Sequence, residues 1–298
     1  MKTLFYSAAF WALTVPLFAD ESDTWNVRDH IPLREITVQA HRGAGVLAPE
    51  NSIEAFEIAW RLGAIPEADI RMTKDGMIVS FHDNNFARIL PNASEEKKKQ
   101  GIKDLTYEEV KKLDIGAWKG KKFEGQRIAS LQEIVEVLKN HPQRKIYVDI
   151  KNVDFEQLAK ESQDVHPQMI LASTKYEEIA LWKKAAPDSF TLHWMGGTEE
   201  QLTERLELLK ANRFRGIDQL QIHVRVDADS VFSPSDAFLR KTGNLLREYN
   251  ILFQVLPWES KDADIYRRLL DLGVASFATD YPDVTMRAIT EYYKAQRK

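Results

Sequence analysis

Beyond residue 34 the chain alternates between two hydrophobic patterns. Short runs of β-branched and other apolar residues fall at Ile36–Ala40, Glu67–Met72, Lys145–Ile150, Met169–Ser173, Phe190–Trp194, Ile217–Val224, Ile251–Leu256 and Ala275–Thr279. Between them lie stretches with apolar residues three and four apart, which line one face of a helix. Ala55, Ile58, Ala59 and Leu62 form one such set, and Gly63 follows where a helix end favours positive φ. Asn51 with Glu54, Ser130 with Glu133, Thr174 with Glu177 and Thr198 with Gln201 have the spacing of capping boxes at helix starts. Strand–helix alternation over this many units predicts an α/β fold, a closed parallel (β/α)8 TIM barrel, whose usual size is about 250 residues. The chain has 298. The surplus falls between Asp83 and Ser130, and we read it as an insertion at about 84–130, between the second and third βα units. The first strand is not followed by the glycine-rich phosphate loop of an open doubly wound sheet.

The start of the chain reads differently. Lys2 precedes an apolar run, Leu4 to Phe18, that stops at Ala19 before Asp20-Glu21. This is the pattern of a secretory signal peptide over 1–19. It predicts an exported barrel of residues 20–298, periplasmic or secreted, with no stable membrane anchor after processing. Composition narrows the chemistry further. Cysteine is absent, which excludes thiolate zinc sites, cysteine nucleophiles and disulfide scaffolds. A net charge of −4 argues against a nucleic-acid partner.

In a parallel barrel the reactive side chains belong at the carboxyl ends of strands. The first predicted strand ends in His41-Arg42-Gly43-Ala44-Gly45, a histidine, a guanidinium and small residues that together suit a phosphate. Glu67 and Asp69 lie two apart on the second strand and so face one side. If Asp75-Gly76 forms a two-residue hairpin turn, His82 on the return strand comes opposite Asp69 and shares that face. Like charges side by side in a barrel mouth repel, and a bound metal is their natural completion. Asp149 and Lys151 share a face at the end of the fourth strand, the first as a third oxygen ligand and the second as a phosphate contact or simply its ion-pair partner. Three carboxylates without a thiolate select one hard divalent cation, Mg2+ or Ca2+. Two histidines outside that set can divide general acid and base work.

The ordered motifs His41-Arg42-Gly43, Pro49-Glu50-Asn51, Glu67-x-Asp69, Thr73-Lys74-Asp75-Gly76, His82-Asp83, Asp104-Leu105-Thr106, Asp149-Ile150-Lys151 and Thr279-Asp280-Tyr281-Pro282 together resemble the glycerophosphodiester phosphodiesterase family. That resemblance implies a (β/α)8 barrel with an insertion after His-Asp. It implies metal-dependent hydrolysis of small-molecule glycerophosphodiesters to glycerol 3-phosphate and an alcohol. It also implies His41 and His82 as the catalytic acid–base pair, Glu67 and Asp69 as metal ligands, and Arg42 and Lys151 near the phosphate. The chain departs from the family pattern at Asp149, where glutamate is usual, in a one-residue shorter stretch before Glu67, and at Ala129, where proline is common.

Other residues carry less. Trp258 is a candidate pocket lining, able to attract a cationic headgroup, or else rim packing. His193 and His223 read as structural groups, Asp280 as part of a helix-start turn before Pro282, and Asn92-Ala93-Ser94 as a glycosylation acceptor for hosts that use one. The competing functions are a phospholipid-directed enzyme of the phosphatidylinositol-specific phospholipase or sphingomyelinase D type, and a non-catalytic phosphoester-binding barrel.

Overall fold

The computed structural model describes residues 25–295, and the expected signal peptide lies outside them. Ten strands form: β1 Thr37–Ala40, β2 Ile65–Met72, β3 Ile78–Ser80, β4 Ile146–Asn152, β5 Met169–Ser173, β6 Phe190–Met195, β7 Gln219–Val226, β8 Phe232–Ser233, β9 Leu252–Pro257 and β10 Ser276–Thr279. Apart from the short antiparallel β3 and β8, they pair in parallel in the order β1, β2, β4, β5, β6, β7, β9, β10. Pairing of β1 with both β2 and β10 closes the ring. The expected (β/α)8 barrel is thus the observed fold. No helix among the described residues is long and apolar enough to cross a membrane.

The alternation of each strand divides its side chains between two environments. Val38, Ala68, Ile70, Val148, Leu171, Leu220, Ile222 and Val255 point outward into the main core beneath the helices. The other set points into the barrel, where the only apolar cluster seen is small, centred on Tyr147, Ile170, Ala172 and Leu192. Much of the remaining interior is polar, including Gln39, Glu67, Asp69, Asp149, Gln219, Gln221 and Gln254, all buried. A buried polar interior must satisfy its own hydrogen bonds or bind something that does.

Residues 84–130 supply no barrel strand. They pack Phe86, Ile89, Ile102, Leu105, Val110, Ile115 and Ile128 against Val79 and Phe81, forming a separate core beside the second strand.

Two local expectations were displaced. The β2–β3 hairpin pairs Met72 with Ile78 and Ile70 with Ser80, so Phe81, not His82, comes opposite Asp69. The loop holds three residues: Thr73 bonds to Met77 across Lys74-Asp75-Gly76, with Gly76 at φ +84°. The Thr73 hydroxyl donates to Asp75 and accepts from the Met77 amide, which stabilises this longer turn. Two of the capping assignments also shift. Ser130 and Thr198 cap as expected, but the helix Ile53–Leu62 is capped by Ser52, and Tyr176–Ala185 starts at Lys175 without a side-chain cap. Asn51 is engaged elsewhere, and Ser173, not Thr174, organises the second start by accepting from the Lys175 amide.

Candidate active site

The turn leaving β1 builds the first half of the site. His41 is hydrogen-bonded through Nδ1 to Asp280 Oδ1 at 2.7 Å, and its Nε2 lies 3.9 Å from Glu67 Oε2. Arg42 takes φ +53°, and its backbone amide donates to Glu67 Oε2 at 2.9 Å. Gly45 makes the Asp280 contact possible: its amide bonds back to His41, and any Cβ there would stand 2.1 Å from the Asp280 carbonyl oxygen. Burial would lower the pKa of His41, but the Asp280 hydrogen bond and the Glu67 and Asp280 charges outweigh it and raise the pKa to about 9. Asp280 itself is lowered, the bond to His41 overcoming its burial.

His82 arrives by a route the strand register did not suggest. The Arg71 guanidinium donates to the carbonyls of both Phe81 and His82, with Nη2 at 2.6 Å from the latter, and bends the chain inward after β3. His82 Nδ1 then bonds Asp83 Oδ1 at 2.7 Å, and its Nε2 sits 3.0 Å from Arg42 Nη2. Since a guanidinium only donates and a carboxylate only accepts, neutral His82 carries its proton on Nδ1 and presents a lone pair at Nε2. Arg88 braces this half. Its Nε donates to Asp83 at 2.8 Å, and its two terminal nitrogens grip Glu50 at 2.7 and 2.6 Å, while Glu50 also accepts from Arg42 at 3.3 Å. Although burial opposes it, the bonds from His82 and Arg88 hold the Asp83 carboxyl well below the usual range.

The acids come from two neighbouring strands. Parallel pairing sets Asp69 beside Asp149, and Glu67 lies one inward position below Asp69. Glu67, Asp69 and Asp149 are buried and offer oxygens within 4.8 Å of one another. Asn51 holds Asp69 at both ends, donating to its carboxylate and accepting from its amide, each at 2.9 Å. Lys151 Nζ spans Asp149 at 2.7 Å and Asp69 at 3.1 Å. Burial, opposed by Lys151 but reinforced by Glu67 and Asp69, pushes Asp149 up to about 7. Burial raises Glu67 as well; Asp69 is lowered because Lys151, His82 and Asn51 overcome the same effect. Lys151 and the His41 imidazolium together therefore do not neutralise three buried carboxylates. An all-oxygen donor set with surplus negative charge fits a hard divalent cation.

Every proposed site residue borders this mouth except Asp69, which is buried beneath it. His41, Arg42, Glu67, His82, Asp149 and Lys151 line a cleft of about 300 Å³ with Trp194, Leu256 and Trp258 on its apolar side. The Arg42 Nε is buried and has no hydrogen-bond partner among the described residues. Trp258 meets His41 edge-on, 6.1 Å between ring centres, and His223 stacks on Trp194 at 4.9 Å. His193 faces away, bonded to the Ser173 carbonyl at 3.1 Å, and burial pulls it down to about 4. Four positioning residues are not evident from the sequence one by one: the local pattern marks Asp280 only as a helix-start turn and Asn51 as a cap, and gives Glu50 and Arg88 no separate signal. Their motif neighbours, Pro49-Glu50-Asn51 and Thr279-Asp280, were the available clue.

With this geometry in place, comparison with known proteins is decisive. The model of the "Glycerophosphoryl diester phosphodiesterase family" matches residues 41–284. The chain belongs to this family. It is a phosphoric diester hydrolase. Among curated relatives, a glycerophosphodiester phosphodiesterase of Bacillus subtilis is 27% identical, with 85% of this chain and 86% of that protein covered. Another of the same description from Bacillus altitudinis is 29% identical, covering 82% and 94%. Family members of known structure share the fold. An Oleispira antarctica phosphodiesterase, solved with its product sn-glycerol-3-phosphate, superposes with a TM-score of 0.63 at 23% identity, covering 85% of this chain and 96% of that one. An Agrobacterium tumefaciens glycerophosphodiester phosphodiesterase gives 0.65 at 21% identity, covering 84% and 99%.

Proposed function

We propose that this chain hydrolyses glycerophosphodiesters to glycerol 3-phosphate and an alcohol, using His41 and His82 as an acid–base pair. One observation carries the reading. Two imidazoles, each with Nδ1 on its own carboxylate, line one cleft with Arg42, whose guanidinium contacts His82. Arg42 receives the phosphate through the terminal nitrogens now on His82 and Glu50. Lys151 adds a second positive charge at the same mouth. His82 accepts a proton at Nε2 from the attacking hydroxyl, either water or the neighbouring glycerol hydroxyl, the latter giving a cyclic phosphate that a water then opens to glycerol 3-phosphate. Asp83 stabilises the imidazolium that results. His41, held as a donor by Asp280, gives a proton to the departing alkoxide. Glu67, Asp69 and Asp149 would hold one divalent cation, Mg2+ or Ca2+. When bound, such a cation neutralises charge growing on the phosphoryl oxygens.

The same proposal includes export, supported by the apolar run at residues 4–18, so that the activity would release glycerol 3-phosphate outside the cytoplasm for scavenging. The test is turnover of glycerophosphocholine by His41→Ala and His82→Ala variants whose folding is checked by circular dichroism. Both should lose at least about a hundredfold. Near-normal rates in both would refute the pair. Chelation should abolish activity reversibly, with either Mg2+ or Ca2+ restoring it. Activity surviving complete metal removal would remove the cation from the mechanism.

A further inference from the structure

We infer that a basic trough leading away from the catalytic mouth is a subsite for a second anionic group, which favours diesters whose leaving alcohol itself bears a phosphate. The inference rests on the glycerophosphodiesterase reading above. Beside the central cleft, a cavity of about 590 Å³ shares His82, Asp149, Lys151 and Trp194 with it and runs past Arg71, Asn84 and Asn85. Those last three and Lys151 also border a further cavity of about 420 Å³, whose other walls include Lys99, Lys103, Asn152 and Asp104. The shared walls make one continuous path from the reacting phosphorus to the lysines.

The acids on that path, Asp83, Asp149 and Glu178, are already engaged by His82 and Arg88, by Lys151, and by Ser173 and Lys175, which leaves donors to meet a ligand. Arg71 binds only carbonyl oxygens, so no carboxylate touches its half-buried charge, and burial lowers its pKa despite Asp69, Asp83 and Asp149 nearby. Lys99 and Lys103 are exposed and form no ion pair among the described residues, whereas Lys98 of the same helix, Glu95–Lys99, is paired with Glu95. Asn85 spends its carbonyl on the Ala87 amide and keeps its NH2 free to donate. The one acid in the outer cavity's wall, Asp104, already accepts from the Gly101 amide at 2.8 Å. Phosphate oxygens only accept, and guanidinium, ammonium and amide donors are their natural complement. A cationic headgroup finds no such welcome here. Both lysines belong to the 84–130 segment, so the outer part of this subsite is supplied by that segment and the inner part, Arg71 and Lys151, by barrel strands.

The test compares KM and kcat of the full chain on glycerophosphocholine, on bis(glycerophospho)glycerol (second phosphate a diester) and on glycerophosphoinositol 4-phosphate (second phosphate a monoester). At low ionic strength at least one two-phosphate substrate should show about tenfold higher kcat/KM than glycerophosphocholine, through KM, and salt should erode the advantage. Which of the two is favoured identifies the source of the second phosphate. The double variant Lys99→Ala/Lys103→Ala should lose the advantage while its glycerophosphocholine kinetics stay unchanged. Good turnover of glycerophosphocholine with no preference for either two-phosphate substrate, or equal losses on all three in the double variant, would overturn the subsite alone. Absence of turnover on every substrate with either cation would overturn the underlying reading and the subsite with it.

Discussion

Two polar regions share the barrel interior, and they are satisfied in opposite ways. Deep inside, the Tyr147 hydroxyl donates to Gln219 at 2.7 Å and accepts from Gln254 at 3.2 Å, while Gln254 also donates to Ser276 at 2.8 Å and accepts from Gln221. Those groups are neutral and answer one another. At the mouth, Glu67, Asp69 and Asp149 face one ammonium and one imidazolium, and a buried guanidinium nitrogen of Arg42 has no partner among the described residues. A network that closes on itself stabilises the fold; one that stays open stores a demand for a ligand. The first should therefore answer to mutation in stability and the second in activity.

The largest expected effect tests the open network. Removing either imidazole, by His41→Ala or His82→Ala, should cost about 10²–10⁴ in kcat; His82→Ala should change Tm little, whereas His41→Ala leaves Asp280 without its partner and should lower Tm as well. Asp149→Asn should be equally inactive. It removes one of three mutually repelling buried carboxylates, so the cation-free protein should melt no lower than wild type. A large drop in its Tm would show that the acids are structural and would break the contrast.

A second test uses an imidazole belonging to neither region. His193 has its pKa lowered to about 4 by burial, with Arg205 adding to the effect. Between that value and about 6.5, its unfolded pKa, the unfolded chain binds a proton the folded chain refuses. Stability then rises with pH, and it is lost as pH falls through the window by on the order of 3 kcal/mol. Denaturant titrations at several pH values should show this slope, and His193→Gln should reduce it to the share left by His223, whose pKa burial also lowers to about 4, without a parallel change in the turnover profile.

Next comes the closed network. Tyr147→Phe leaves Gln219 short of a donor and Gln254 short of an acceptor, which should cost about 1–3 kcal/mol of stability. The kcat of the folded protein should stay near wild type, measured well below the new Tm. The smallest effect concerns the brace of the open network. Arg88→Lys cannot hold Asp83 and Glu50 at once, so His82 and Arg42 lose alignment and kcat should fall about tenfold with KM nearly constant. A proportional rise in KM instead would assign Arg88 to substrate binding.

Legibility varied with the range of the interaction concerned. The barrel strands showed within one to two residues at most ends, because outward Val, Ile and Leu create a pattern inside each strand. The two histidines and three acids could be placed at strand ends for the same reason. The route of His82 could not. A register argument placed it opposite Asp69, but the three-residue loop anchored by Thr73 moved the pairing by one. Arg71 then restored His82 to the mouth from beyond the strand. Asn51 looked like a helix cap because its spacing to Glu54 is local, yet its partner is Asp69, eighteen positions on.

The sequence by itself determined the fold class, the strand ends on which chemistry gathers, and the residue types able to bind a phosphate and a hard cation. These follow from periodicities of two and 3.6 residues and from side-chain chemistry, both legible over a few positions. Only the tertiary structure decided the partnerships: Asp280 with His41, 239 positions apart, Arg88 with both Asp83 and Glu50, and Lys151 between two acids. Ring closure sets β10 beside β1 and β4 beside β2. Which side chains then meet depends on register and turn geometry, which change by whole residues without altering the hydrophobic pattern that specified the strands.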